Sequence, residues 1–80
     1  MRCVYLLRSK DDPSKRYVGC TENLKGRLAD HNSGKSPHTA KHKPWMLVAA
    51  VYFADAAKAD AFERYLKQGT GHAFANRHFW

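Results

Sequence analysis

The 80-residue sequence predicts a small α+β domain, a three-stranded antiparallel sheet flanked by helices in the order β-β-α-β-α-α. Three observations carry that prediction. Two strand-like runs, residues 3–8 and 16–20, are joined by a link too short for anything but an antiparallel hairpin. Two amphipathic segments, residues 21–34 and 55–68, carry capping residues at their ends. Between them Trp45 to Phe53 is a nearly continuous apolar run of strand length. The length itself leaves room for one domain, residues 1–80, with one core.

Each element follows from its residues. Asp11, Asp12 and Pro13 form a turn cluster between the first two strands. If Arg8 stands opposite Arg16, Tyr5 faces Gly19 and Leu7 faces Tyr17. Alternation then gathers Tyr5, Leu7, Tyr17 and Gly19 on one face of the sheet. A slip of one residue would part the two tyrosines.

In the first helix Thr21 or Asn23 caps the start and Gly34 stops the end. Leu24 and Leu28 define its buried stripe, and Arg27 and His31 fall inside that stripe. Either they serve a site there or they reach solvent from the stripe's edge. Residues 35–44 hold three Lys and two His with no acid, and read as a basic loop. Trp45–Phe53 is the best candidate for a central strand buried on both faces. Asp55 caps a second helix running to about Gln68 and ended by Gly69. Its stripe is Ala56, Ala59, Phe62 and Leu66, with Glu63 inside the same arc. Glu63 is either a site carboxylate or the partner of a buried arginine such as Arg27. Thr70 and Gly71 start a final helix through Phe79, with Phe74 and Phe79 covering the sheet.

Composition narrows the function. At 44% hydrophobic and 12% aromatic residues the chain is not a disordered segment. No apolar run approaches the roughly 20 residues of a membrane span. Residues 3–7 are too short for the apolar part of a signal peptide, so no membrane partner is expected. The formal net charge is +7, and most of it lies early. Residues 1–43 hold ten Lys or Arg against four acids, whereas residues 44–80 hold four against three. Such a distribution suits a polyanion, since each neutralised phosphate releases counterions. Cys3 and Cys20 allow at most one disulfide, so reduced thiols and a cytoplasmic location are expected. They and the scattered His lack the paired spacing of a zinc site.

Two tyrosines on one sheet face, a cation in one helix stripe and a carboxylate in another are the parts that phosphodiester hydrolysis uses. A base activates water, a cation stabilises the charged phosphorus centre, and a carboxylate anchors a metal. The same residues also fit a polar cluster that ties helices to the sheet.

Val4-Tyr5 and Tyr17-Val18-Gly19 resemble the two signatures of the GIY-YIG nuclease superfamily. The likeness runs on through Thr21, Asn23-Leu24, Arg27-Leu28, His31-Asn32, Pro44-Trp45 and Glu63. Leu66-Lys67, Gly69-Thr70-Gly71 and Ala73-Phe74 resemble its short stand-alone branch. Cys3 stands where the first signature is named for glycine, and Val4 and Val18 replace isoleucine. The resemblance implies metal-dependent phosphodiester cleavage of nucleic acid, with DNA expected before RNA and no organic cofactor. It implies that Glu63 holds one Mg²⁺ or Mn²⁺ and that Arg27 positions water or stabilises the phosphate. Tyr5 matches the tyrosine preferred as general base, Tyr17 its support, His31 a helix histidine near the site, and Gly19 the motif glycine. Asn76 stands in the region of a late asparagine.

An ordinary phenol has a pKa of about 10, so Tyr5 needs either nearby cations to favour its phenolate or a group to take its proton. Lys35, His38, Lys41 and Lys43 in the basic loop are expected to meet nucleic-acid backbone. His38 and Thr39 are the loop residues able to approach the site, while His42, His72 and His78 are expected at the surface. The rival reading is a module of the same fold that grips nucleic acid without cutting it, and a further one is an adaptor for an acidic protein.

Overall fold

The computed structural model describes residues 1–80. Strands β1 (Arg2–Ser9) and β2 (Arg16–Thr21) form the hairpin, followed by helix α1 (Leu24–Ser33) and a single 3-10 turn at Ala40–His42. Strand β3 (Trp45–Phe53) and helices α2 (Ala56–Leu66) and α3 (Gly69–His78) complete the chain. The sheet is antiparallel with order β2-β1-β3. The α+β architecture expected from the sequence is the one observed.

The hairpin takes the register supposed above: Arg8 faces Arg16, Leu7 faces Tyr17 and Tyr5 faces Gly19. The central strand, however, is β1 and not β3. Residues Cys3 to Leu7 are all buried, whereas β3 leaves Met46, Leu47 and Tyr52 exposed at an edge. A continuous apolar run marks β3 as a strand without saying how many neighbours it has. A bulge between Leu6 and Leu7 shifts the β1–β3 register, so Leu6 faces Ala49 and Leu7 faces Leu47.

Alternation along β1 divides the interior in two. Val4 and Leu6 pack with Ala59, Leu66 and Ala75 of α2 and α3. Cys3, Tyr5 and Leu7 pack with Trp45 and, at the edge of the cluster, with Tyr17, Leu24 and Leu28. Helix α1 therefore lies on the tyrosine face, and α2 with α3 on the other.

The caps place the helices. Asn23, not Thr21, caps α1 through its side-chain oxygen to the Gly26 N–H, and Gly34 closes it at φ +85°. Asp55 accepts from the N–H groups of Ala57 and Lys58 at the start of α2. Gly69 does not end α2; that helix stops at Leu66, and Gly69, at φ +27°, is the first residue of α3. Phe79 packs against the sheet-side core, but Phe74 meets Phe62 of α2 edge-on and Tyr65 at a tilt, and stays partly exposed.

Candidate active site

Tyr5 leaves the middle of β1 and is 1% exposed. Its hydroxyl lies 2.9 Å from Nε2 of His31, which α1 presents from its last turn. His31 Nδ1 lies 2.7 Å from the hydroxyl of Thr39, and that hydroxyl reaches the Ser36 carbonyl at 3.4 Å. All three side chains are buried. Donor counting assigns the protons. The acceptor within reach of the Tyr5 O–H is Nε2, so the phenol donates there. Nδ1–H then donates to Thr39, and Thr39 donates to Ser36. No buried side-chain nitrogen or oxygen is left unpaired.

Thr39 is itself held by its backbone. Its carbonyl accepts from the Trp45 indole N–H at 2.8 Å. Asn32, next to His31, bonds both the N–H and the carbonyl of Trp45. Helix α1, the basic loop and the start of β3 are thereby locked around one histidine.

The electrostatics keep this pair neutral. Burial raises the Tyr5 pKa above the usual phenol value, with Arg27 drawing it back down and Tyr17 adding to the rise. Burial, then the charge of Arg27, lowers His31, against a smaller pull from Asp30. Of the two ways of activating Tyr5 considered from the sequence, a cation field is outweighed by burial. A proton acceptor stands in hydrogen-bond contact.

The other residues singled out by the sequence are placed as follows. The Tyr17 ring lies 4.8 Å from the His31 ring and 6.1 Å from that of Tyr5, centroid to centroid. It is half-buried, so it forms the accessible wall of the site. Gly19 is required by the tyrosines: a Cβ there would lie 2.5 Å from Cζ and Oη of Tyr5 and 2.8 Å from Cε2 of Tyr17. Arg27 keeps 40% of its side chain exposed, 3.7 Å from Asp30. Glu63 does not pair with Arg27; its carboxylate is 2.6 Å from Nζ of Lys67, one turn on. That Nζ stands 6.0 Å from the Tyr17 ring, which brings α2 to the rim of the site.

The basic loop is divided. Lys35 sits 3.8 Å from Asp30, Lys41 is exposed on the 3-10 turn, and Lys43 lies beside Gly34. His38 lines a cavity that also includes Tyr17 and Thr39. Asn76 does not touch the tyrosine group: its amide oxygen accepts from Arg16 at 2.8 Å. Arg16, His42 and His72 line the same cavity. Their types carried no signal in the sequence, because the three come from separate stretches that only the fold brings together.

No three His, Cys, Asp or Glu side chains gather as a ready-made metal centre. No helix is long and apolar enough to cross a membrane.

The fold brings together a strand tyrosine hydrogen-bonded to a helix histidine and a second strand tyrosine beside it, with Arg27 on the same helix; Glu63 approaches this cluster only through Lys67. The GIY-YIG catalytic domain matches residues 1–76, and the chain belongs to the GIY-YIG family.

Similar proteins are of two kinds. The chain is 40% identical over 67 residues to the structure-specific endonuclease subunit SLX1 of Podospora anserina, covering 76% of this chain and 19% of that protein. It is 35% identical over 71 residues to a UPF0213 protein of Clostridium perfringens, covering 88% of this chain and 74% of the relative. A UPF0213 protein of Staphylococcus haemolyticus is 36% identical over 62 residues, covering 76% and 71%. The matched region is thus only about a fifth of the Podospora protein. Family membership and these relatives support a nuclease.

Proposed function

We propose that this chain is a divalent-metal-dependent endonuclease that hydrolyses phosphodiester bonds in DNA, in repair- or recombination-type processing. The observation that carries the reading is the buried Tyr5–His31–Thr39 chain beside Arg27. A binding surface gains nothing from a phenol hydrogen-bonded to a neutral imidazole, whereas general base catalysis uses that pairing.

In the proposed step, water attacks phosphorus as its proton passes to Tyr5 Oη, and the phenol's own proton passes to His31 Nε2. The P–O bond to the leaving oxygen breaks, that oxygen takes a proton from solvent, and the proton held by His31 returns through Tyr5 Oη to solvent, restoring the neutral pair. The imidazolium so formed is opposed by burial and by Arg27, and is supported by the anionic phosphate bound over it. Arg27, partly exposed beside the pair, meets the charge developing on the phosphate oxygens. Tyr17 orients His31 and Tyr5 by packing and faces the substrate.

Glu63 offers a single, half-buried carboxylate. That hard oxygen donor fits Mg²⁺ or Mn²⁺, ions that keep several waters and take the rest of their ligands from substrate phosphates. When bound, such an ion would polarise a phosphate oxygen and neutralise charge. Lys67 must give up its contact with Glu63 for this to happen. DNA, rather than a membrane or an organic cofactor, is the partner that the positive charge supports.

The test is incubation with branched, flapped and duplex DNA plus Mg²⁺ or Mn²⁺. Cleavage lost with EDTA and in Glu63→Gln supports the reading. Salt-sensitive DNA binding without metal-dependent cutting would replace it by the binding module.

A further inference from the structure

Against Tyr17 and Thr39 lies a cavity of about 440 Å³, within the range of roughly 300–1,000 Å³ usual for ligand sites. The hairpin turn and β2 contribute Lys15, Arg16 and Tyr17 to its lining. The basic loop contributes His38 and His42, and α3 contributes His72. Thr39 and the largely buried Trp45 are also part of the wall. No Asp or Glu lines it. A solvated basic surface would need no convergence of three distant segments, and such surfaces usually intersperse acids.

Arg16 is held in place. Its Nη1 donates to Asn76 Oδ1 at 2.8 Å, and its guanidinium carbon stands 5.0 Å from the centre of the Trp80 ring. Those contacts fix the plane of the group while occupying one of its five N–H donors. A guanidinium oriented from behind, with free donors, is suited to two-point binding of a phosphate. Tyr17 and Thr39 belong both to this cavity and to the tyrosine–histidine cluster, so the two adjoin.

We propose that this cavity is a phosphate subsite for the nucleic-acid strand, with Arg16 as its clamp and Asn76 as the residue that aims the clamp. The bound group is a phosphate of the strand, either an internal phosphodiester or a terminal phosphate. The identity of the strand as substrate rests on the nuclease reading; the capture of phosphate does not. Asn76 has on this view a positioning role, exerted through Arg16 and not at the reacting atoms.

The experiment is an NMR titration of the protein with inorganic phosphate in EDTA. Saturable shifts are expected at Lys15, Arg16, His42, His72 and the Trp45 indole, and not at the remote Lys25 or Lys58. Arg16→Gln should weaken phosphate binding at least about tenfold, as loss of a charged hydrogen bond does. Asn76→Ala should weaken it less, and His72→Gln, at an exposed helix position, provides a variant expected to keep the fold. Phosphate binding unchanged in both Arg16→Gln and His72→Gln would overturn the subsite, as would shifts spread evenly over remote lysines.

A second arm compares single strands with and without a 5′-phosphate, by fluorescence anisotropy in EDTA. Preference for the phosphorylated end, abolished by Arg16→Gln, assigns a terminal phosphate; equal binding, weakened equally by Arg16→Gln, assigns an internal one. Intact phosphate binding in a protein that never cuts DNA would remove the nuclease reading and leave the subsite standing. Cleavage and DNA binding unaffected by Arg16→Gln would do the reverse.

Discussion

The Tyr5 hydroxyl gives its hydrogen bond to Nε2 of His31, 2.9 Å away, joining the central strand to the first helix inside the protein. In the proposed mechanism these two residues, 26 apart in sequence, act as one proton-handling unit. Tyr5→Phe and His31→Gln should each reduce cleavage by about 10²–10⁴, the usual contribution of general acid–base groups. The double variant should be little worse than either single one, because residues acting as a unit are not additive. Steady-state cleavage rates, with near-ultraviolet circular dichroism to verify folding, decide this. Losses that multiply would show two independent roles.

Thr39 is the hydrogen-bond partner of His31 Nδ1, and its bond to the Ser36 carbonyl makes it the acceptor for an Nδ1–H. Thr39→Val removes the acceptor for Nδ1–H and leaves a buried donor unpaired, destabilising the fold by about 1–3 kcal/mol. It should also displace the pH–rate profile, whereas Thr39→Ser should restore both stability and profile. Nitrogen chemical shifts of the His31 ring check the tautomer directly. A Thr39→Val protein with wild-type ring shifts and profile would remove Thr39 from the mechanism.

Gly19 faces Tyr5 across the hairpin, and its missing side chain is the space the tyrosine ring and hydroxyl fill. Gly19→Ala should destabilise the protein by about 1–3 kcal/mol through overpacking and disturb cleavage by pushing both tyrosines. Denaturant unfolding measures the first effect, and activity under conditions where the variant is fully folded measures the second. A neutral Gly19→Ala would mean that the tyrosines move at little cost.

Stability should depend on His31 in acid. Its pKa is lowered in the folded state by burial and by Arg27, opposed by Asp30, while the unfolded chain has an ordinary histidine near 6.5. Between those values the unfolded state binds more protons, so stability falls as pH drops through the unfolded pKa and levels off below the folded one. Above about 6.5 this contribution is complete. Unfolding followed across that window should show a smaller acid-side slope in His31→Gln than in wild type. Equal slopes would mean that His31 titrates alike in both states.

Local chemistry made much of this legible in the sequence. The turn residues marked the hairpin, and alternation put Tyr5, Tyr17 and Gly19 on one face once Arg8 was set opposite Arg16, which is the observed register. Asp55 marked the start of α2, and an anomalous histidine in an apolar stripe marked His31. The rank of the strands in the sheet was not legible, since β1 and β3 are both apolar and only tertiary packing decides which is flanked twice. Nor was the precise station of Thr39, a small polar residue in a loop without periodicity, positioned by a tryptophan six residues on. Glu63 stood out by its helical phase; its pairing with Lys67 is an i,i+4 contact set by the helix itself, and only its separation from Arg27 depends on how α2 lies on the sheet.

Asn32 has a consequence for how the molecule behaves at high concentration. Strand β3 lies at the border of the sheet, and such borders invite strands from other molecules. The amide of Asn32 takes both backbone groups of Trp45, imitating the neighbouring strand that β3 lacks at its first residue. Pairing with a further strand is thereby opposed at Trp45. The residue that steadies the site thus also guards one end of an open border against aggregation.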